Sequence, residues 1–185
     1  ERLYGACRNT NDFIWITVSS GIGGAVFAGG RLYTGSSGNA GEIGHVRVES
    51  ENPMRCGCGA MGCLEAQASG TAIEIMYKRA SGRVKSAKEI AELARGGDSL
   101  AIAAYEKIGY YIGKAAAGAV NILNPACVVI GGGVSAAYEL FAPAMERTAR
   151  EMSFQAANSG LRFLPTALGY NAALYGAAAI TQMKE

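Results

Sequence analysis

The residues best suited to chemistry are concentrated in one stretch of the chain, residues 41–65. This stretch contains the only histidine and three of the five cysteines. One imidazole and three thiolates make a complete tetrahedral shell for zinc. The candidate ligands are His45, Cys56, Cys58 and Cys63. Because four protein ligands leave no coordination position for water, we expect a structural zinc ion rather than a catalytic one.

The surroundings of the cysteines favour a metal site over an ordinary apolar core. Buried cysteines often act as small hydrophobic residues, but these three are flanked by glycine and arginine and follow no apolar period. Glycines allow the chain to fold back sharply, so that Cys56 and Cys58 can face one ion. Residues 64–68 predict a short helix, and the dipole at its N-terminus favours a thiolate at Cys63. Two of the carboxylates in the same stretch, Glu42 and Glu65, could support the zinc ligands or have another role.

Two glycine-rich turns are candidates for binding phosphate or nucleotide. Residues 19–24 follow an apolar strand, and their glycines would let backbone N–H groups converge on an anion. A plain hairpin turn is the simpler explanation of the same residues. Residues 131–133 are three glycines between a short apolar strand and a helix, a common arrangement at nucleotide sites and also a common tight turn. The residues alone leave both alternatives open.

Composition predicts one folded domain in a reducing cytoplasm. The chain has 185 residues, half of them hydrophobic, and a net charge of only +2, which argues against a dedicated nucleic-acid surface. No segment resembles a signal peptide or reaches the length of a membrane span. The odd count of five cysteines suits a metal better than disulfides, so we expect Cys7 and Cys127 to be unpaired and inert.

The pattern of elements predicts an α/β fold with antiparallel strands first, followed by alternating helices and strands. Predicted strands are 13–18, 25–28, 31–33, 46–49, 127–130 and 161–164. Predicted helices are 64–68, 71–80, 86–96, 98–123, 136–152 and 171–183. Expected helix caps are a Thr71/Glu74 box, a Ser86/Glu89 box, Asp98 and Ser135. The apolar stripe of the long helix runs over Ala101, Tyr105, Ile108, Ile112, Ala115, Ala119 and Ile122. This order is that of a ribonuclease-H-like lobe.

The residues of the 41–65 stretch carry a family resemblance. Glu42-Ile43-Gly44-His45 followed by Cys-Gly-Cys-Gly-x-x-Gly-Cys-Leu-Glu, ending at Glu65, resembles the signature of the ROK (repressor, open reading frame, kinase) family. This family comprises sugar kinases and sugar-responsive repressors. The similarity continues through residues 19–25 and the turn at 131–133, and so covers nearly the whole chain. The family usually has Gly-Thr-Gly or Ser-Thr-Gly where this chain has Ser19-Ser20-Gly21, and often glycine where it has Ala25.

The resemblance implies a role for each of these residues. Zinc would be held by His45 and the three clustered cysteines. Sugar hydroxyls would be bound by Glu42, His45 and Glu65. Phosphate and adenosine would be contacted by Ser20, Gly21, Gly23, Gly24, Gly132 and Gly133. With one ring nitrogen on zinc, His45 would offer the other N–H to a hydroxyl.

The resemblance also implies a larger protein. Sugar kinases resembling actin and hexokinase pair two such lobes, and residues 1–185 match the second lobe, with a zinc-binding insert at 42–65 and the N-terminal lobe absent. The chain begins at Glu1 without a methionine. The catalytic base of the family is an aspartate in an Asn-Asp-x-Asn motif expected upstream of Glu1. Asn11-Asp12 does not fit, because Phe13-Ile14 follows, so this chain alone should not phosphorylate sugar.

Three functions are compatible with these residues. The first is an ATP- and magnesium-dependent kinase for a hexose or N-acylhexosamine, which retention of residues 20–24 favours. The second is a sugar-responsive ROK repressor, which would bind DNA only through an upstream winged helix. The third is a separate, zinc-stabilised sugar-binding domain. The resemblance further implies a homodimer.

Overall fold

The architecture is a five-stranded mixed sheet with helices, seen in a computed structural model that describes residues 1–181. The strands are β1 (Phe13–Val18), β2 (Ile22–Ala28), β3 (Arg31–Tyr33), β4 (Cys127–Gly131) and β5 (Arg162–Pro165). Their spatial order is β3-β2-β1-β4-β5. The first three strands form an antiparallel meander, while β4 pairs parallel to both β1 and β5. The antiparallel meander, β1, β3 and β4 were all predicted.

Strand β1 lies at the centre of the sheet because its side chains are apolar on both faces. Ile14, Ile16 and Val18 join the main core with the helices. Phe13 faces the other side and stacks on Phe27 with ring centroids 5.0 Å apart. Successive side chains of a strand point to opposite faces, so a continuous apolar run predicts a strand that is buried on both faces.

The helices are α1 (Leu64–Ala68), α2 (Gly70–Ser81), α3 (Ala87–Arg95), α4 (Ser99–Leu123), α5 (Tyr138–Met152) and α6 (Ala172–Ile180). The Ser86/Glu89 capping box at α3 and the Asp98 cap at α4 are confirmed. The Thr71/Glu74 box is wrong, because the Ser69 side chain caps α2 by accepting from the Ala72 N–H. Glu74 instead accepts from the Ala87 N–H.

Helices α4 and α5 cross closely over the sheet. A Cβ at Gly113 would lie 2.6 Å from the Met145 carbonyl oxygen, so glycine is needed at this crossing. The predicted stripe of α4 is buried from Ala101 to Ala115 but fails at its end. Ile122 is 82% exposed, and Val120 is the last fully buried residue of α4.

Several local predictions are wrong. The turn after β1 is shorter than residues 19–24, since β2 begins at Ile22 and includes the next two glycines. Residues 46–49 form no strand and contribute one isolated bridge, Arg47 to Cys63. The Ser135 hydroxyl donates to the Gly132 carbonyl within a 3₁₀ turn, Gly133–Ala137, instead of capping α5. The last strand lies one residue later than predicted. The predicted end of the last helix, residue 183, falls outside the described residues.

Cys7 and Cys127 are fully buried and form no disulfide. Their Sγ atoms lie 3.1 Å apart, and one thiol donates to the other. This hydrogen bond and burial raise the pKa of the Cys7 thiol. Among residues 1–181, every helix is too short or too polar to cross a membrane.

Candidate metal and ligand site

Two short elements position the ends of the candidate metal cluster. His45 is the last residue of a 3₁₀ turn, Ile43–His45. Cys63 is the N-cap residue of α1, and the backbone of Arg47 bridges to it. The bridge brings the segment after His45 alongside the start of α1, so that ligands distant in sequence meet.

A tight turn presents the other two cysteines. The Cys56 N–H donates to the Ala60 carbonyl at 2.8 Å, and the Gly59 N–H donates to the Cys56 carbonyl at 3.0 Å. Gly59 has φ of 92°, a left-handed conformation that glycine adopts without strain. The turn therefore directs both thiols, one buried and one exposed, toward the same side.

The distances in the cluster fit zinc. Tetrahedral zinc with bonds of about 2.3 Å to sulfur separates two sulfurs by about 3.8 Å. The Sγ atoms of Cys58 and Cys63 lie 3.8 Å apart. Cys56 Sγ lies 3.8 Å from His45 Nδ1, and all four donor atoms lie within 4.8 Å of one another. Burial raises the pKa of Cys63 to about 12, so its thiolate needs a nearby cation.

The His45 ring lies between the cysteines and the predicted sugar-binding carboxylates. Nδ1 faces Cys56, whereas Nε2 lies 3.9 Å from a Glu42 carboxylate oxygen. The side chains of His45 and Glu42 are 41% and 60% exposed, so a ligand can reach them. One ring nitrogen is thus available for metal and the other for an external hydroxyl.

Glu65 connects the cluster to the loop after β1. Its Oε1 accepts from the Cys56 thiol at 3.7 Å, and its Oε2 accepts from the Ile22 N–H at 3.0 Å. A Cβ at Gly21 would lie 2.5 Å from Glu65 Oε2, so glycine lets the carboxylate approach the loop. All three predicted sugar-binding residues therefore lie around the metal cluster.

The two glycine-rich turns lie side by side. Gly132 has φ of 85°, and a Cβ there would clash with the Val18 carbonyl at the end of β1. A Cβ at Gly133 would lie 3.8 Å from Ser19 Oγ. The turn after β4 therefore packs against the loop after β1, as parallel pairing of these two strands requires.

An open cleft of about 490 Å³ adjoins both turns. Ser20 and Gly133 line it, whereas the other predicted nucleotide contacts do not. Gly23 and Gly24 lie in β2, and a Cβ at Gly24 would lie 2.6 Å from the Gly41 carbonyl oxygen. That glycine is explained by backbone packing next to the metal cluster.

Sequence reasoning missed three polar residues of this cleft: Thr71, Lys88 and Arg95. Arg95 lies between α3 and α5, where its guanidinium is 2.7 Å from carboxylates of both Glu92 and Glu139. The hydrogen bond to Glu139 raises the pKa of Arg95. No local sequence signal identifies Arg95, because its partner Glu139 lies in α5 and is brought to α3 only by the tertiary fold.

Comparison with known proteins gives a consistent match. A profile of the ROK family matches residues 1–184. The glucokinase of Thermotoga maritima is 40% identical over 162 residues, which cover 80% of this chain and 51% of that protein. The DNA-binding transcriptional dual regulator NagC of Escherichia coli K12 is 34% identical over 183 residues, which cover 94% of this chain and 45% of that protein.

Among the solved structures that resemble this chain, a ROK family glucokinase matches it over nearly its whole length. The structure of a ROK family glucokinase from Streptomyces griseus in complex with glucose and AMPPNP has a TM-score of 0.85 at 29% identity, covering 96% of this chain and 63% of that one. The likeness confirms the predicted α/β fold class, a lobe of the actin and hexokinase type. The chain spans about half the length of the curated relatives it matches.

Proposed function

Because the chain belongs to the ROK family, we propose that it is the C-terminal lobe of an ATP-dependent kinase for a hexose or an N-acylhexosamine. The observation that carries this proposal is the hydrogen bond from the Ile22 N–H to Glu65. It joins a carboxylate of the sugar site directly to the end of the loop that would contact phosphate. A kinase needs its acceptor hydroxyl and its phosphate held in one rigid frame.

Zinc has a structural role in this proposal. The ligands are His45, Cys56, Cys58 and Cys63, and their mutual distances support this donor set. When bound, the ion fixes the turn and the position of His45. The imidazole then directs its second nitrogen outward, and the metal determines which nitrogen carries the proton.

The sugar site consists of Glu42, His45 and Glu65. Each carboxylate can accept protons from two hydroxyls, and the imidazole can donate to a third. The exposure of Glu42 and the closeness of its carboxylate to His45 Nε2 support this arrangement. Such fixed acceptors discriminate between sugars, because a missing hydroxyl leaves a partner unpaired.

The nucleotide would lie along the two glycine turns, with Ser20 and Gly133 at the cleft. ATP with magnesium supplies the phosphoryl group when it is bound. The backbone of the loop after β1 would contact phosphate, and the turn at Gly132 and Gly133 would lie beside the adenosine. The AMPPNP and glucose named with the Streptomyces griseus glucokinase support this pairing of ligands.

The catalytic base would come from an N-terminal lobe. Residues 1–181 contain two aspartates. The Asp12 carboxylate accepts from the Gly29 N–H in the β2–β3 turn, and Asp98 caps α4 and pairs with Arg83. Helix α6 supports a covering lobe, because several of its apolar side chains are exposed, including Leu174 (71%) and Ile180 (64%). By itself, this lobe would bind ligands without phosphorylating sugar.

The effector-binding domain of a sugar-responsive repressor is the second candidate. The 34% identity to NagC, over 94% of this chain, favours it specifically. The same carboxylates and His45 would then sense a sugar, and DNA would be bound by a winged helix outside this chain. Either protein would act as a homodimer.

The test is ADP release by the full-length protein with magnesium-ATP and a panel of hexoses and N-acylhexosamines. Sugar-dependent ADP release is the expected result and names the substrate. If sugar binds without turnover, and the sugar changes the retention of the protein on DNA, the protein is a repressor. If sugar binds and neither turnover nor DNA binding occurs, the chain is a sugar-binding domain.

A further inference from the structure

We propose that Thr71 is a positioning residue that aims the backbone N–H groups of Ser20 and Gly21 at an anionic ligand, the phosphate of the nucleotide. The inference rests on the proposed function, since it names the device that orients the phosphate-contacting loop. It starts from a failed prediction. The sequence pattern predicts that Thr71 caps α2, but Ser69 is the cap. The Thr71 hydroxyl is therefore available for a different hydrogen bond.

The Thr71 hydroxyl is bonded to the loop. Its Oγ1 donates to the Ser20 carbonyl at 2.9 Å, across 51 residues of sequence. The neighbouring Gly70 N–H donates to the Ser19 carbonyl at 2.7 Å. Two successive carbonyls of the loop are therefore tied to the first turn of α2.

Because each peptide group is planar, the two hydrogen bonds also set the direction of the N–H group that follows each carbonyl. In a trans peptide the C=O and the following N–H point in opposite directions. The Ser19 carbonyl thus fixes the Ser20 N–H, and the Ser20 carbonyl fixes the Gly21 N–H. Both N–H groups point away from α2 on the same side of the loop.

These two N–H groups are free to bind a ligand. Within residues 1–181, neither the Ser20 nor the Gly21 N–H donates to a protein acceptor. The next N–H, of Ile22, is already taken by Glu65. Successive backbone N–H groups on one side of a turn form a concavity that binds anions. The loop therefore has two N–H donors available for the ligand, while the N–H of Ile22 donates to the carboxylate of the sugar site.

The arrangement divides the loop into two separately held halves. Thr71 holds the peptide that faces the anion, whereas Glu65 holds Ile22 at the other end. Removal of the Thr71 hydroxyl should release the first half and leave the second in place. Nucleotide binding should then weaken without a matching loss of sugar binding.

The experiment compares Thr71→Val with Thr71→Ser in the full-length protein. Valine keeps the branched shape and loses the hydroxyl, whereas serine keeps the hydroxyl. Thr71 is exposed, so both variants should fold and melt close to the wild type. The readouts are the Kd of magnesium-AMPPNP, used as the probe, and the Kd of glucose and N-acetylglucosamine, each measured by titration calorimetry.

We expect Thr71→Val to weaken AMPPNP binding by about threefold to tenfold, the effect of one hydrogen bond. Sugar binding should change by less than about twofold, and Thr71→Ser should bind AMPPNP like the wild type. An unchanged AMPPNP affinity in Thr71→Val, or an equal loss in both variants, would overturn the assignment. So would a wild type that binds no AMPPNP. A protein that binds AMPPNP with this pattern but turns over no sugar would refute the kinase proposal alone.

Discussion

Replacement of Cys58 by serine separates a zinc site from a cluster of unliganded thiols. Cys58 is the one exposed cysteine of the chain. Without a metal, an exposed substitution of this kind changes the free energy of unfolding by less than about 0.5 kcal/mol. With a metal, the same exchange removes one of four ligands. Because the Cys58 side chain is exposed, the substitution should change the free energy of unfolding little without a metal and much more with one.

The expected loss follows from the small apolar core of residues 46–63, which are held mainly by backbone hydrogen bonds. Two isolated bridges, Arg47 to Cys63 and Arg55 to Met61, connect residues 46–63, and Val48 is the only large aliphatic side chain buried there. Structural zinc binding is worth about 10–16 kcal/mol, or about 3 kcal/mol per ligand if shared equally. For a domain of this size, that loss lowers the Tm by about 6–12 °C.

The assay combines calorimetric melting with metal content by mass spectrometry. Met61→Ser is the matched control, because Met61 is 45% exposed in the same loop and is not a candidate ligand. The control should keep its zinc and melt close to the wild type, while Cys58→Ser should lose zinc and melt about 6–12 °C lower. Equal melting of Cys58→Ser and the wild type, with no metal in either, would refute the reasoning.

Two further substitutions test the surroundings of the site. Tyr111→Phe should raise the pKa of Glu49 from about 2 toward the ordinary 4.5, because the Tyr111 hydroxyl donates to that carboxylate at 2.7 Å. The hydrogen bond therefore stabilises the fold above about pH 4.5, and this contribution to stability is lost as the pH falls toward 2. Carboxyl NMR titration measures the pKa of Glu49, and an unshifted pKa in the variant would contradict the prediction. Gly24→Ala should cost about 1–3 kcal/mol in urea unfolding and weaken sugar binding, because the added Cβ displaces the Gly41 backbone that leads into Glu42; wild-type stability and sugar affinity would contradict this.

The parts of the fold that were predictable carry their information locally. Residues 13–18 are all apolar, β-branched or aromatic, so a central strand followed directly. The Ser86/Glu89 box is complete within four residues and formed as predicted. The candidate metal cluster could also be predicted from the sequence, because all its ligands lie within one short stretch at a spacing typical of metal sites. Its four members meet in space, with their donor atoms within 4.8 Å of one another.

The parts that failed depend on contacts between distant segments. Ser69 and Thr71 both offer hydroxyls at the start of α2, and the choice of cap depends on the Ser20 carbonyl, which lies far away in sequence. The close approach of the Gly41 backbone, which requires glycine at Gly24, was also not predicted. The periodicity of α4 continues to Ile122, although that side chain is 82% exposed. Local sequence contains none of these constraints.

The most direct measurement is sugar affinity of the full-length protein with and without zinc. Calorimetric titration with glucose and N-acetylglucosamine would be performed on the purified protein, after zinc removal by a chelator, and after zinc is restored. If the ion fixes His45 for sugar binding, affinity should fall at least about tenfold on removal and recover on restoration. A zinc-free protein that remains folded, by circular dichroism, and binds sugar with unchanged affinity would contradict this role.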